Sequence, residues 1–461
     1  MNKKLWMLIS MLLIAAMALA ACGTPATTAP TSAPAATEAP AATAAPAATE
    51  APAATTAPAA TAAPAATTAP AATTAPAAGG KAVKITIWHQ WEGKYLDAIT
   101  AAFKEYEAAH PGVTIDLSKP DNVNDALKVA IPAGNGPDII GWANDNIGAQ
   151  ALLGNIADLD SMGVDKAFLD QTYAPAAVAG VTWNGKIWGL PESMEGIALV
   201  YNKAMIKDVA TELPTDPKNF DDLLAKAKDF ATKNPGKYLF CNQGMGGKDA
   251  YHVAPVFFGF GVPSYVDDAG KVYLNTPEAI KAATWLTQIK PYLPKETSDD
   301  ICKASFLEGK VAARWTGPWF IADVEKAKID YGILSMGRPF VGIKTLMISK
   351  NAVDRGNDKT ALDIIKFFTS AAPETKVALA NKTIPANAAA LKDPQVQALA
   401  SVAGFGNAIS AGVPMSPSPF SSAQWDAVGD AEQAIWQGTQ KPDVAMAAAQ
   451  KAAEDKIAAM K

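Results

Sequence analysis

Polar and apolar residues alternate across Lys84-Ile-Thr-Ile-Trp88, a period of two that predicts a strand. The period then lengthens. Leu96, Ile99, Ala102, Phe103 and Tyr106 recur at three- and four-residue steps, which predicts a helix halted at His110-Pro111-Gly112. Val113–Leu117 predicts a second strand and Val123–Ile131 a second helix. Pro137–Trp142 predicts a third strand, with a helix near Ile147–Leu153. Such alternation predicts an α/β fold around a parallel sheet whose short apolar strands are covered on both faces. Further helices are predicted over Phe220–Thr232, Ala279–Ile289, Lys359–Ser370 and Gln424–Gln437, and strands over Val311–Trp315 and Thr345–Ile348.

The first eighty residues follow neither period. Lys3 and Lys4 precede an apolar run from Leu5 to Ala21 broken by Ser10, which reads as a secretory signal peptide over residues 1–21. The run ends in Leu19-Ala20-Ala21-Cys22-Gly23, which resembles a bacterial lipobox, with lipid attached at Cys22. The expected protein is therefore secreted and tethered to the outer face of the cytoplasmic membrane through its N-terminus. Residues 22–80 read as an Ala/Pro/Thr-rich linker. From Ala33 the unit Ala-Pro-Ala-Ala-Thr-x repeats seven times without a large apolar side chain, so it has nothing with which to build a core. In polyproline II, at about 3.1 Å per residue, it would reach roughly 180 Å.

Composition narrows the function. The chain has 461 residues, too many for one small core, so two lobes are expected. Without the first eighty residues, 38 basic side chains face 43 acidic ones. That balance argues against nucleic acid as a partner. Three His and three Cys leave little for a structural zinc site, and no cofactor motif is present. There is no G-x-S-x-G elbow, and Gly244, Gly246 and Gly247 before Lys248 lack Walker spacing and read as a surface loop. His110 reads as a helix end, while His89, after a strand, is a candidate for lining a cleft. Cys241 and Cys302, 61 residues apart, are allowed a disulfide in a secreted chain. They are expected instead as two small buried thiols.

The tryptophans keep informative company. Trp88 and Trp91 flank His89 at the end of the first strand, Trp142 ends the third, Trp319 follows Gly317-Pro318, and Trp425 opens a late helix. Open α/β sheets bind ligands beyond the carboxyl ends of their strands. Aromatic rings there, with Glu92, Asp145 and Glu195, suit a sugar, whose C–H faces lie on rings and whose hydroxyls donate to carboxylates.

Four blocks carry a family resemblance. They are Gly136-Pro-Asp-Ile-Ile-Gly-Trp-Ala-Asn-Asp145; Asn184-Gly-Lys-Ile-Trp-Gly-Leu-Pro191 with Glu195 and Tyr201-Asn-Lys203; Gly317-Pro-Trp319 with Tyr331-Gly332 and Pro339-Phe-Val-Gly342; and Ser422-Ala-Gln-Trp-Asp-Ala-Val428. In this order they resemble the extracellular solute-binding proteins of bacterial ABC sugar importers, most closely the maltose/maltodextrin-binding members. The resemblance implies a two-lobe, type II periplasmic-binding-protein-like α/β fold with the ligand cleft between lobes. It places one lobe at 81–193 plus 345–393 and the other at 198–340 plus 396–461, with crossings at Glu195 and Val341–Lys344. It implies stacking by Trp142, Trp319, Trp425 and Tyr251, an apolar contact from Met415, and polar contacts from Glu92, Lys94, Asp125, Asp145 and Glu195. The chain departs from the family pattern at Asn146 and Gly429, where arginines are expected, and at Asp426, where a tyrosine is expected.

The implied function is capture of a neutral oligosaccharide, maltose or maltodextrin foremost, and delivery to ABC permease subunits by a monomer that is not an enzyme. A longer α-glucan or another neutral sugar is a second reading. A secreted glycoside hydrolase would also combine Trp with carboxylates, but needs two carboxyls set across one bond. A surface adhesin would not close two lobes on a small ligand. A charged ligand would call for clustered cations, and two are missing.

Overall fold

The computed structural model describes residues 82–461. The signal peptide, the Cys22 lipobox and the whole of the linker lie outside the described residues.

Thirteen strands are described: β1 (Val83–His89), β2 (Val113–Ser118), β3 (Ile139–Ala143), β4 (Thr182–Trp183), β5 (Lys186–Ile187), β6 (Leu190–Glu195), β7 (Ala198–Asn202), β8 (Tyr238–Cys241), β9 (Val311–Thr316), β10 (Tyr331–Leu334), β11 (Phe340–Ile348), β12 (Ile384–Pro385) and β13 (Val413–Pro414). They form a large sheet ordered β12-β6-β11-β3-β1-β2, with β13 beside β11, a smaller sheet ordered β10-β7-β9-β8, and the hairpin β4-β5. Each sheet is packed with helices, so each lobe has its own layers. Ile85, Ile87, Ile139 and Ile140 are buried in the larger one, and Phe257, Phe258, Trp285 and Trp315 in the smaller.

The parallel pairing expected from the strand–helix alternation holds for the first three strands, and the rest of the large sheet is mixed. β1, β2 and β3, each joined through a helix, do pair in parallel. β11 runs antiparallel to both β3 and β6, and β12 antiparallel to β6. The reason is the crossing between lobes. β6 leaves the large sheet at Glu195, and after two intervening residues β7 opens the smaller one. β11 brings the chain back and so enters from the opposite end. At this crossing Gly196 is indispensable, since a Cβ there would lie 2.4 Å from Ile409 and 2.8 Å from the Phe340 carbonyl.

Local signals explain the helices that carry site residues. The Asp249 carboxylate accepts from the Tyr251 and His252 N–H groups and so caps the helix Ala250–Gly259. The helix Gln424–Gln437 ends on Gly438, whose φ of 76° is the left-handed conformation that closes helices. No described helix is long and apolar enough to cross a membrane.

Three further expectations are corrected. Cys241 and Cys302 form a disulfide, with Cα atoms 5.4 Å apart. The parallel pairing of β8 with β9 and the packing of the helix Asp299–Leu307 on β9 bring together residues that sequence separation leaves unrelated. His89 is buried and stacked on Trp91, so it belongs to the core. The Gly244–Gly247 turn is half-buried, tied down where the Glu432 carboxylate accepts from the Gly246 N–H.

Candidate functional site

Four aromatic side chains converge at the boundary between lobes. Trp142 reaches it from β3, Tyr251 from the helix capped by Asp249, Trp319 from the turn Pro318–Phe320, and Trp425 from the first turn of its helix. With Asp145, Glu195 and Met415 they line one cavity of about 410 Å³, which Asn124, Asn146, His252 and Lys344 also line. Phe340 anchors two of the rings from behind, lying parallel to Tyr251 at 6.0 Å and edge-on to Trp425 at 5.6 Å.

The polar groups are held in place. Asp145 follows β3 and accepts from Trp425 Nε1 at 2.9 Å and from the Asn146 amide at 2.9 Å. The first of these bonds joins the two lobes directly. Burial pushes the Asp145 carboxyl up to about 6, against the downward pull of Trp425 and Lys344. Glu195 ends β6 and is ion-paired with Lys344 Nζ at 3.0 Å, the two side chains largely buried. With its amide oxygen turned toward Lys344, Gln90 accepts from the same Nζ at 2.8 Å.

Three polar atoms of the lining have no protein partner, Asn124 Oδ1 being one. The Tyr251 hydroxyl and His252 Nε2 are buried and unpaired, while His252 Nδ1 lies 2.7 Å from the Asp249 carboxylate. Burial opposes ionisation of Asp249, yet His252 and the capping N–H groups hold its carboxyl at about 2. The rings, the carboxylates and these free polar groups together suit a flat, hydroxylated ligand.

Of the ten residues implied by the resemblance, seven meet here: Trp142, Asp145, Glu195, Tyr251, Trp319, Met415 and Trp425. Glu92 and Lys94 are exposed and line an adjoining cavity. Asp125 lines neither cavity. It is exposed in the first turn of the helix Val123–Ala130 and paired with Lys128 at 2.9 Å, while its neighbour Asn124 faces the cleft. Asp426 is exposed beside Lys456 at 3.6 Å, and Gly429 packs on Lys248, so neither replaces the ring or the cation that the family pattern has there. Lys344 was missed by sequence reasoning. Its signal was a lone cation inside the otherwise uncharged run Phe340–Ile348. Among the described residues no group of His, Cys, Asp and Glu is placed to hold a metal ion.

Two packed α/β lobes meeting around such a cavity define the architecture of a periplasmic-type binding protein. Residues 101–404 match the family of bacterial extracellular solute-binding proteins, and the chain belongs to that family. It is 30% identical over 376 residues to the maltotriose-binding protein of Pyrococcus abyssi, an alignment covering 78% of this chain and 79% of that one. It is 28% identical over 292 residues to the maltodextrin-binding protein MdxE of Bacillus subtilis, covering 59% and 66%. The fold is similar to that of the maltose/maltodextrin-binding domain MalE of Bdellovibrio bacteriovorus bound to maltotriose. The TM-score is 0.72 at 24% identity, over 81% of this chain and all of that one. The fold is therefore the two-lobe type II arrangement, and the chain is a binding protein, not an enzyme.

Proposed function

We propose that this chain is the lipid-anchored substrate-binding component of an ABC importer. It captures a neutral oligosaccharide of the maltose/maltodextrin class between its lobes and hands it to permease subunits at the outer face of the cytoplasmic membrane. The observation that carries this reading is the convergence of Trp142, Tyr251, Trp319 and Trp425 on one cavity with Asp145 and Glu195. Rings supply apolar faces for pyranose C–H groups, and carboxylates accept from the hydroxyls. The names of the Pyrococcus and Bacillus relatives support the sugar class. Cys22 is the proposed lipidation site, residues 22–80 the stalk, and the protein works as a monomer.

The proposed lobes are 81–193 plus 345–393 and 198–340 plus 396–461. The two-residue passage from β6 to β7 and the return through β11 support placing hinges at Glu195 and Val341–Lys344. Asn146, lining the cavity where the family pattern has arginine, favours a second reading in which the sugar is neutral but not maltose. A thermal-shift screen of maltose, maltotriose and other neutral oligosaccharides, followed by tryptophan fluorescence titration, decides between them. A shift with charged ligands and none with any neutral sugar would overturn the proposal.

A further inference from the structure

We propose that His252 is a specificity-determining residue of the cavity. Its Nε2 is a fixed hydrogen-bond acceptor that selects a ligand hydroxyl, and a relay through Asp249, Gln243 and Arg314 fixes it so. This rests on the sugar-binding reading above. His252 lines the cavity with its Nε2 buried and unpaired. The ring is wedged edge-on against Tyr251 at 5.4 Å and Trp319 at 6.0 Å. Gly244 packs against it from behind, where a Cβ would lie 2.9 Å from the His252 Cβ. The His252 carbonyl accepts from Asn242 Nδ2 at 2.8 Å, so the backbone is held as well as the ring.

The direction of every bond in the relay follows from which groups can donate. Arg314 has donors only and stays charged. It lies almost wholly buried in β9, its guanidinium 4.3 Å from the centre of the Phe320 ring and ion-paired with Asp299. It donates to Gln243 Oε1 at 3.2 Å. The amide nitrogen of Gln243 must then point the other way, and it donates to Asp249 at 3.1 Å. One Asp249 oxygen already accepts from the Tyr251 and His252 N–H groups, the other from Gln243. With both oxygens accepting, Asp249 is a carboxylate and has no proton to give. His252 Nδ1, 2.7 Å from the oxygen that Gln243 reaches, therefore carries the hydrogen. A neutral imidazole in that tautomer presents a bare lone pair at Nε2.

The lone pair decides what chemistry the cavity takes at this point. A hydroxyl donates to it and satisfies a buried atom that the protein leaves unpaired. A carboxylate, phosphate or carbonyl oxygen would set lone pair against lone pair, next to the negative charge of Asp249. A site built around one donor discriminates sharply against ligands without it, because its own polar atom is then left buried and unpaired. The relay also accounts for an arginine in the otherwise uncharged strand Val311–Thr316. Arg314 fixes the Gln243 amide, and that amide fixes Asp249.

The test is nuclear magnetic resonance of the full chain carrying 15N-labelled histidine, at pH 7.5. The chain has three histidines, and His252→Asn assigns the signals of this one. In the free protein His252 is expected with its proton on Nδ1 and a bare Nε2. Saturating maltotriose should move the Nε2 signal toward that of a hydrogen-bonded nitrogen and leave His89 and His110 in place. Asp249→Asn/Gln243→Glu reverses the relay at constant net charge. The new carboxylate accepts from Arg314 and from the new amide, whose oxygen keeps the helix cap and whose NH2 donates to Nδ1. His252 should then carry its proton on Nε2, and calorimetry should show maltotriose binding about ten- to thirtyfold more weakly, with unchanged far-UV circular dichroism. A wild-type Nε2 that is protonated, or a double variant that keeps the wild-type tautomer, overturns the relay. Maltotriose binding that leaves Nε2 unmoved overturns the acceptor role and leaves the sugar reading standing. Failure of every neutral oligosaccharide to bind overturns the sugar reading and the hydroxyl assignment together.

Discussion

Trp425 gives the sharpest test of the first cavity, because its indole does two separable things. Its ring lines the cavity edge-on to Phe340, and its Nε1 donates to Asp145 across the lobes. Trp425→Phe keeps a ring and removes the donor. The lost bond is to an ionisable carboxyl, so a loss of about 1–2 kcal/mol in sugar binding is expected, roughly five- to thirtyfold in Kd. Trp425→Ala removes the stack as well. With about 1 kcal/mol for the aromatic pairing and a similar amount for lost apolar area, the total reaches about 3 kcal/mol, on the order of a hundredfold. Fluorescence or calorimetric titration with maltotriose at pH 7.5 reads both. The pH profile separates contact from positioning. Ionised Asp145 is the better acceptor for a sugar hydroxyl, so wild-type affinity falls as pH drops through about 6. Removing the indole donor, which lowers that pKa, moves the midpoint upward in Trp425→Phe. If Trp425→Phe binds as tightly as wild type and Trp425→Ala only melts several degrees lower, the residue is an inter-lobe latch and the contact role is refuted.

Further predictions concern stability and anchoring. Burial raises the Glu192 carboxyl to about 7, so between its unfolded value and 7 the native state holds a proton that the unfolded chain has released. Stability should therefore fall as pH rises from about 5 to 7, by up to about 1.4 kcal/mol per pH unit from this group, and Glu192→Gln should flatten that slope in denaturant melts. An unchanged slope would remove Glu192 from the account. Cys241→Ser/Cys302→Ser should cost roughly 2–4 kcal/mol, because the disulfide closes a loop of 61 residues in the unfolded chain; a dithiothreitol titration of the wild type should approach the same melting temperature. Cys22→Ser should abolish detergent partitioning of the full-length chain, and a variant that still partitions like the wild type would disprove the lipid anchor.

What the sequence determined by itself is local or periodic. The step of two at Lys84–Trp88 and the three–four spacing at Leu96–Tyr106 are consequences of strand and helix geometry, and both elements stand where those periods put them. The four family blocks held Trp142, Asp145, Glu195, Trp319 and Trp425 before any fold was visible, because each sits in a short motif that can be read in place, while Tyr251 and Met415 lie outside the blocks and came only from the wider resemblance. What only the tertiary structure decided depends on which distant segments meet. β11 runs antiparallel in the large sheet because it returns from the other lobe, a direction that no local period encodes. Cys241 finds Cys302 because β8 and the helix Asp299–Leu307 both pack on β9. Lys344 meets Glu195 only because two crossing strands lie side by side at the hinge. His89, which read as a cleft residue, is core because β1 is an inner strand with neighbours on both edges, so its end is enclosed. Periodicity assigns each residue a face of its own element, whereas the identity of the element across from that face is set by the packing of the whole chain.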